Sequence, residues 1–156
     1  MDKRSVRNTK KVIYDDVQFD SKLELFCYKQ LKDAGIEFIY QPTQVDLIDS
    51  FELPFKCYEH IGKRVKEDGK LLYSTKRFDL VPHVRKISYT PDFAAPDNSW
   101  IIEVKGYPTD VFKLRWKIFK QYLMSINYTG VVMKPENQNQ IKECIKLIKE
   151  ISEYKD

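Results

Sequence analysis

The chain has 156 residues, 42% hydrophobic and 32% charged, with a formal net charge of +4. Such a length and composition suit one soluble globular domain with a real core and exclude a disordered or fibrous chain. No apolar run approaches the ~20 residues of a membrane span, and the start MDKRSVRNTKK lacks the apolar segment of a secretory signal. Cys27, Cys57 and Cys144 are odd in number and share no CxxC spacing, which points to free thiols in a reducing cytoplasm.

The charge is unevenly spread. Residues 1–11 form a basic arm, with Lys3, Arg4, Arg7, Lys10 and Lys11 against Asp2 alone. A second group, Lys63, Arg64 and Lys66, is followed by Lys70, Lys76 and Arg77. Such clusters suit a polyanion, but basic termini are also common solvated tails. Charge alone therefore decides nothing.

After the arm, Val12 to Phe19 predicts one short extended segment. Ser21 and Glu24 then match a capping box that opens a helix, in which each side chain caps the other's backbone N–H. Leu23, Phe26, Cys27, Leu31 and Ala34 recur at helical spacing, and Gly35 ends the run. Glu24 falls at the border of the buried face. Capping alone accounts for an acid there, although the border position also lets it reach a site on a sheet below. Ile36–Tyr40 and Val45–Ile48 read as strand, interrupted by Gln41-Pro42. From Asp49 to Lys86 the pattern weakens, with strands expected at Phe51–Phe55, Leu71–Ser74 and Phe78–Val84 and a hairpin turn at Asp68-Gly69.

The stretch YTPDFAAPDNSWIIEVKG, Tyr89 to Gly106, organises the rest. Ile87–Phe93 and Trp100–Val104 are rich in β-formers, and Pro96 to Ser99 supplies turn residues between them. That loop sets an antiparallel register in which Asp92 faces Glu103. Side chains two apart share a face, so Ile101, Glu103 and Lys105 lie together, with Ile102 and Val104 opposite. Apolar side chains on both faces imply a covered, interior strand. Two acids and a lysine on such a strand are costly without partners, and a divalent cation would relieve the repulsion. An ordinary Glu–Lys pair on a wet strand is the competing reading.

After Gly106, Pro108-Thr109-Asp110 predicts a helix start, with Val111, Leu114, Ile118, Tyr122 and Phe119 as its buried stripe. Lys113, Lys117 and Lys120 make a basic stripe on another side, suited to a wet face or a phosphate backbone. Tyr128–Met133 predicts a strand. Ile141, Cys144, Ile145, Ile148 and Ile151 mark a closing amphipathic helix. The whole implies an α/β chain: a mixed central sheet flanked by helices.

Pro91-Asp92, then Glu103-Val104-Lys105, with Glu24 on the preceding helix, resemble the PD-(D/E)XK nuclease superfamily. FDSKLE, YQP, YTPDF and EVKG look like small phage-borne nucleases related to phage endonuclease I and to other Holliday junction resolvases. The resemblance covers Val12 to about Met133 and is weakest between Asp49 and Lys86. It implies a restriction-endonuclease-like fold in the order α-β-β-β-α-β-α, as one nuclease domain over residues 12–156 elaborated at 49–86. It also implies a metal-dependent endodeoxyribonuclease, acting in DNA recombination in the cytoplasm of a host cell if phage-encoded. By that resemblance Asp92, Glu103 and the backbone carbonyl of Val104 would bind Mg²⁺ or Mn²⁺. Lys105 would orient or help deprotonate the attacking water, and Glu24 would hold a metal-bound water or a second ion. Arg4, Arg7, Lys10, Lys11, Lys113 and Lys117 would contact DNA, as branched or distorted duplex, and a homodimer would supply two cuts. A DNA-binding module on the same fold that does not cut, or a subunit active only in a larger assembly, is the alternative.

Overall fold

A computed structural model describes residues 11–68 and 70–153 of the chain, which is a mixed α/β protein. The chain divides into two compact units, one of residues up to Val45 together with those from Tyr89 onward, the other Asp46–Ser88.

The first unit opens with a hairpin, β1 (Val12–Tyr14) and β2 (Val17–Phe19), in which Tyr14 pairs with Val17. This corrects the single extended segment expected there. Asp15 and Asp16 both take positive φ, 56° and 60°, as a two-residue primed turn requires. Asp tolerates that region, but without a glycine the turn carries little signal.

Helix α1 (Lys22–Asp33) begins at Ser21, whose hydroxyl accepts the Glu24 N–H at 3.1 Å. Its end is a complete Schellman motif. Ile36 N–H donates to the Leu31 carbonyl and Gly35 N–H to that of Lys32, with Gly35 at φ +67°.

The central sheet has the strand order β12-β11-β10-β3. Its members are β3 (Ile39–Tyr40), β10 (Phe93–Ala94), β11 (Trp100–Ile102) and β12 (Val131–Met133). β10 is antiparallel to both β3 and β11, whereas β11 runs parallel to β12. Phe93 pairs with Ile102 and Ala94 with Ile101, the register that the turn predicted. Asn98 at φ 59° and the Asn98 N–H to Ala95 carbonyl bond build that turn. β11 is interior, and all three of its residues are buried. The expected strand Ile87–Phe93 is instead split: β9 (Ile87–Tyr89) ends before Pro91, and β10 starts at Phe93. Proline has no N–H to give a ladder, so the break falls at Pro91-Asp92 and frees the Asp92 side chain for other work.

Two helices close one side of this sheet. Cys27 and Leu31 of α1 and Ile141, Cys144 and Ile148 of α3 (Gln138–Glu153) share a core with Phe93, Trp100, Ile102, Val104 and Met133. The α3 stripe is the one its spacing predicts. Helix α2 (Asp110–Ser125) starts at Thr109, whose hydroxyl accepts the Phe112 N–H. Its buried residues are Phe112, Phe119 and Leu123. This corrects the expected stripe in part: Phe119 is buried and Ile118 and Tyr122 half-buried, but Val111 is 65% and Leu114 60% exposed. The buried face is turned towards Phe112 and Leu123, with Phe119 against Tyr89 at 4.5 Å between ring centroids.

The second unit is nearly all strand. β4 (Val45–Ile48) and β9 pair with each other where the chain enters and leaves. Within it, β5 (Phe51–Glu52) pairs with β8 (His83–Val84), and β6 (Tyr58–Glu67) with β7 (Lys70–Leu80). Glu67 pairs with Lys70; of the hairpin turn expected at Asp68-Gly69, Gly69 lies outside the described residues. β6 has no counterpart among the expected strands, and β7 joins the expected Leu71–Ser74 to the first part of Phe78–Val84; the many polar and charged residues of both hide any alternation. No helix among the described residues is long and apolar enough to cross a membrane.

Candidate active site

The site is built where the central sheet ends. Beyond β11 the backbone stays extended: Glu103 N–H donates to the Met133 carbonyl and Lys105 N–H to that of Pro135. Alternation then holds as expected. Ile102 and Val104 belong to the core under α1 and α3, whereas Lys105 lies on the α2 side, its ammonium 4.9 Å from the centre of the Phe112 ring. Asp92 is fixed from across the register, its Oδ2 accepting the Val104 N–H at 2.7 Å. The amide of Val104 is therefore part of the site.

Glu24 reaches the same region from α1. Its carboxylate closes a capping box displaced by one residue. Oε2 accepts the Asp20 N–H at 3.3 Å, rather than that of Ser21, while the Ser21 hydroxyl donates to Oε1 at 3.2 Å. The Tyr40 hydroxyl donates to Oε2 at 3.3 Å. Tyr40 is itself held by rings, with Phe19 at 5.0 Å and Phe93 at 5.2 Å. Glu24 thus caps its helix and also lies buried beside the other acids.

Electrostatics mark these residues as one group. Burial pushes the Asp92 carboxyl well above the usual carboxylate range, and repulsion from Glu103 and Glu24 adds to it; the Val104 N–H and Lys105 oppose. Burial raises Glu103 as well, against the favourable influence of Tyr89 and Lys105. Glu24 is raised by burial, partly offset by the Asp20 and Ser21 hydrogen bonds. The Tyr89 hydroxyl is near enough to Glu103 to favour its ionised form, yet no hydrogen bond closes between them. Tyr89 Oη and Glu103 Oε2 are each buried with no partner.

Glu24, Asp92, Glu103 and Lys105 are therefore brought together. Among the described residues no three Asp, Glu, His or Cys side chains form a ready metal-ligand group. Glu24 is a neighbour of the acid pair and raises the Asp92 carboxyl. Lys113 and Lys117 lie exposed on α2, Lys113 paired with Asp110 at 3.2 Å. Lys11 is exposed and 3.9 Å from Asp20. Arg4, Arg7 and Lys10 lie outside the described residues. Sequence reading missed Tyr40, Tyr89 and Phe112. The first and last stand in FIYQP and the α2 start, but nothing local marks an aromatic as the support of a charged group.

The fold and site define a protein that holds a carboxylate pair, Glu103 buried and Asp92 half-buried, with a lysine beside it at the end of a mixed sheet. Residues 4–139 match the family described as protein of unknown function (DUF1064), and the chain belongs to that family. No curated protein and no solved structure matches it significantly.

Proposed function

We propose that this protein is a metal-dependent endodeoxyribonuclease of the restriction-endonuclease-like fold, hydrolysing phosphodiester bonds with a preference for branched or distorted duplex DNA. The observation that carries this reading is the Asp92–Glu103 pair: two carboxylates set beside each other by strand register, raised by burial, with Glu103 Oε2 lacking any partner. The order α1, β10, β11, α2, β12 supports the same fold.

An orphaned buried carboxylate oxygen beside a second acid fits a hard divalent cation, which takes oxygen ligands and cancels like charge. Asp92 and Glu103 would hold Mg²⁺ or Mn²⁺. Such an ion supplies an acidic water and positive charge for the phosphate oxygens when bound. The Val104 N–H pins the Asp92 carboxylate by one oxygen and fixes its rotation. Lys105 is only half-buried, so its ammonium can meet a phosphate as well as the acids, and charge on the transition state is stabilised there. The exposed Lys113 and Lys117 suit phosphate contacts that position DNA without reading bases. Two cuts across a branch need two sites, and one chain carries one site, so the active species is a homodimer.

The test is cleavage of a four-way junction, a flap, linear duplex and single strand at fixed salt with Mg²⁺. The parent is expected to cut branched DNA in preference to linear. Asp92→Asn, Glu103→Gln and Lys105→Ala should each cut at least ~100-fold less while staying folded. Robust cutting by Glu103→Gln would sink the site assignment. Equal cutting of linear and branched DNA would leave a general endonuclease, and no cutting by the parent would favour a non-cutting DNA-binding module.

A further inference from the structure

The second basic group of the sequence falls on the β6–β7 ribbon, and the strand register sorts its charges. Residues two apart in β6 share a face, and each shares it with the β7 residue directly opposite. The irregularity falls on the β7 side, where Arg77 and Ser74 stand opposite Ile61 and Lys63, so β6 keeps its alternation. One face then carries Glu59 opposite Asp79 and Glu67 opposite Lys70, and with them every acid of the two strands. The other face begins with Tyr58 and His60, opposite Leu80 and Phe78. It continues with Arg64 opposite Tyr73 and Lys66 opposite Leu71. That face offers cations and aromatic rings and no acid at all. Its base is uncovered: Phe78 is 75% and Tyr58 51% exposed, and their rings stack at 6.0 Å between centroids. Stacked rings left in water beside positive charge are a surface that awaits a partner.

We propose that this face of the β6–β7 ribbon binds single-stranded DNA. Unpaired bases stack on Tyr58 and Phe78, and phosphates are neutralised from the Arg64 and Lys66 positions. The two kinds of group answer the two parts of an unpaired strand, since every base has a π-face and every link a negative charge. From Tyr58 to Lys66 the strand runs about 27 Å, room for several nucleotides. A second copy of the chain is the weaker occupant. Seated face to face it would set cations against cations, because neither face has an acid to receive them. Duplex DNA is weaker too, since it keeps the faces of its bases inside the stack. The inference rests on the nuclease reading for its choice of DNA, and it deepens that reading: a flap or a distorted duplex exposes unpaired bases, and this surface would select for them.

The experiment is fluorescence anisotropy of a labelled thymidine oligonucleotide and a labelled blunt duplex, with the full-length protein in chelator so that nothing is cut. The parent is compared with Tyr58→Ala/Phe78→Ala, with Arg64→Ala/Lys66→Ala, and with Lys63→Ala/Lys70→Ala, which removes equal charge from the acid-bearing face. Single-strand affinity should fall ~10-fold or more in Tyr58→Ala/Phe78→Ala, with its salt dependence unchanged and duplex affinity moved less. In Arg64→Ala/Lys66→Ala the slope of log affinity against log salt should flatten by about 1. Lys63→Ala/Lys70→Ala should stay within about threefold of the parent at physiological salt, where screening acts over about 8 Å. Equal losses in the two lysine-bearing variants overturn the proposal, as does parental single-strand affinity in a folded Tyr58→Ala/Phe78→Ala. A lower mass by light scattering for that variant without DNA gives the face to a second copy and overturns it too. If the variant does not fold, Tyr58→Leu/Phe78→Leu keeps the apolar bulk without the rings, and parental affinity there counts against the proposal. A parent that cuts no DNA, yet loses single-strand binding in Tyr58→Ala/Phe78→Ala, overturns the nuclease reading and leaves this surface standing. A parent that cuts branched DNA but binds no single strand overturns this inference alone.

Discussion

Asp92 and Glu103 keep their protons to higher pH than free carboxylates do, because burial disfavours charge and the acids repel one another. The consequence for stability follows by linkage. A carboxyl whose folded pKa is raised contributes stability that is present below its unfolded value, about 4. That stability is lost as pH rises through the raised folded value. The metal-free protein should therefore become less stable between about pH 5 and pH 8, the reverse of ordinary carboxylates. Asp92→Asn and Glu103→Gln should flatten this slope and raise the melting temperature at the upper end by a few degrees. Calorimetry in chelator checks it. A parent whose pH slope equals that of both variants would contradict the shifts. Glu24 carries a separate test, for it both caps α1 and neighbours the site. Glu24→Gln keeps most of the capping, worth about 0.5–2 kcal/mol, but loses the charge, so activity should fall with melting nearly unchanged. Parental activity would reduce Glu24 to a cap.

Helix α1 shows how much of an element can be read from residues alone. Ser21 and Gly35 mark its ends, and both do so through the backbone geometry their types favour. Gly35 holds φ +67° with nothing within 4 Å of where a Cβ would sit. Gly35→Ala therefore meets no clash and gains no packing, and the left-handed strain alone should cost about 1–2 kcal/mol in urea unfolding. Mn²⁺ binding should be untouched. A stabilised variant would mean that the helix ends differently. The turn at 96–99 was equally legible, because its residues dictate a register and the register puts Asp92 opposite Glu103. The buried face of α2 was not. Its sequence offers two apolar stripes of the same period that share Phe119, and the one buried sets the rings of Trp116 and Phe119 against Tyr89, a residue remote in sequence. The Asp15-Asp16 turn was hidden for another reason, the lack of a glycine at its positive-φ positions. Strand β6 was hidden because its residues are largely polar, and pairing with β7 rather than a hydrophobic pattern defines it.

At the scale of the molecule, every residue assigned to the candidate site comes from the unit that spans the chain up to Val45 and from Tyr89 onward. The other unit, Asp46–Ser88, contributes none. Its two ends lie side by side. The Asp46 carboxylate accepts from the Ser88 hydroxyl at 2.7 Å and from the Lys86 ammonium at 3.0 Å, and β4 pairs with β9. A segment whose ends already meet can be shortened at small entropic cost, since closing a loop costs only ~0.6 kcal/mol more for each doubling of its length. Replacing residues 49–86 with a short Gly-containing turn should therefore leave a folded protein. The aromatic cluster of Phe19, Tyr28, Phe38, Tyr40 and Phe93 and the core shared by α1 and α3 both lie outside the excised stretch. The shortened protein should bind Mn²⁺ within about threefold of the parent, and Asp92→Asn in that background should abolish the binding. Calorimetry with circular dichroism decides the matter. Loss of Mn²⁺ binding in a shortened chain that keeps its helical signal would show that the site needs the second unit, and the assignment of the metal to Asp92 and Glu103 alone would fall.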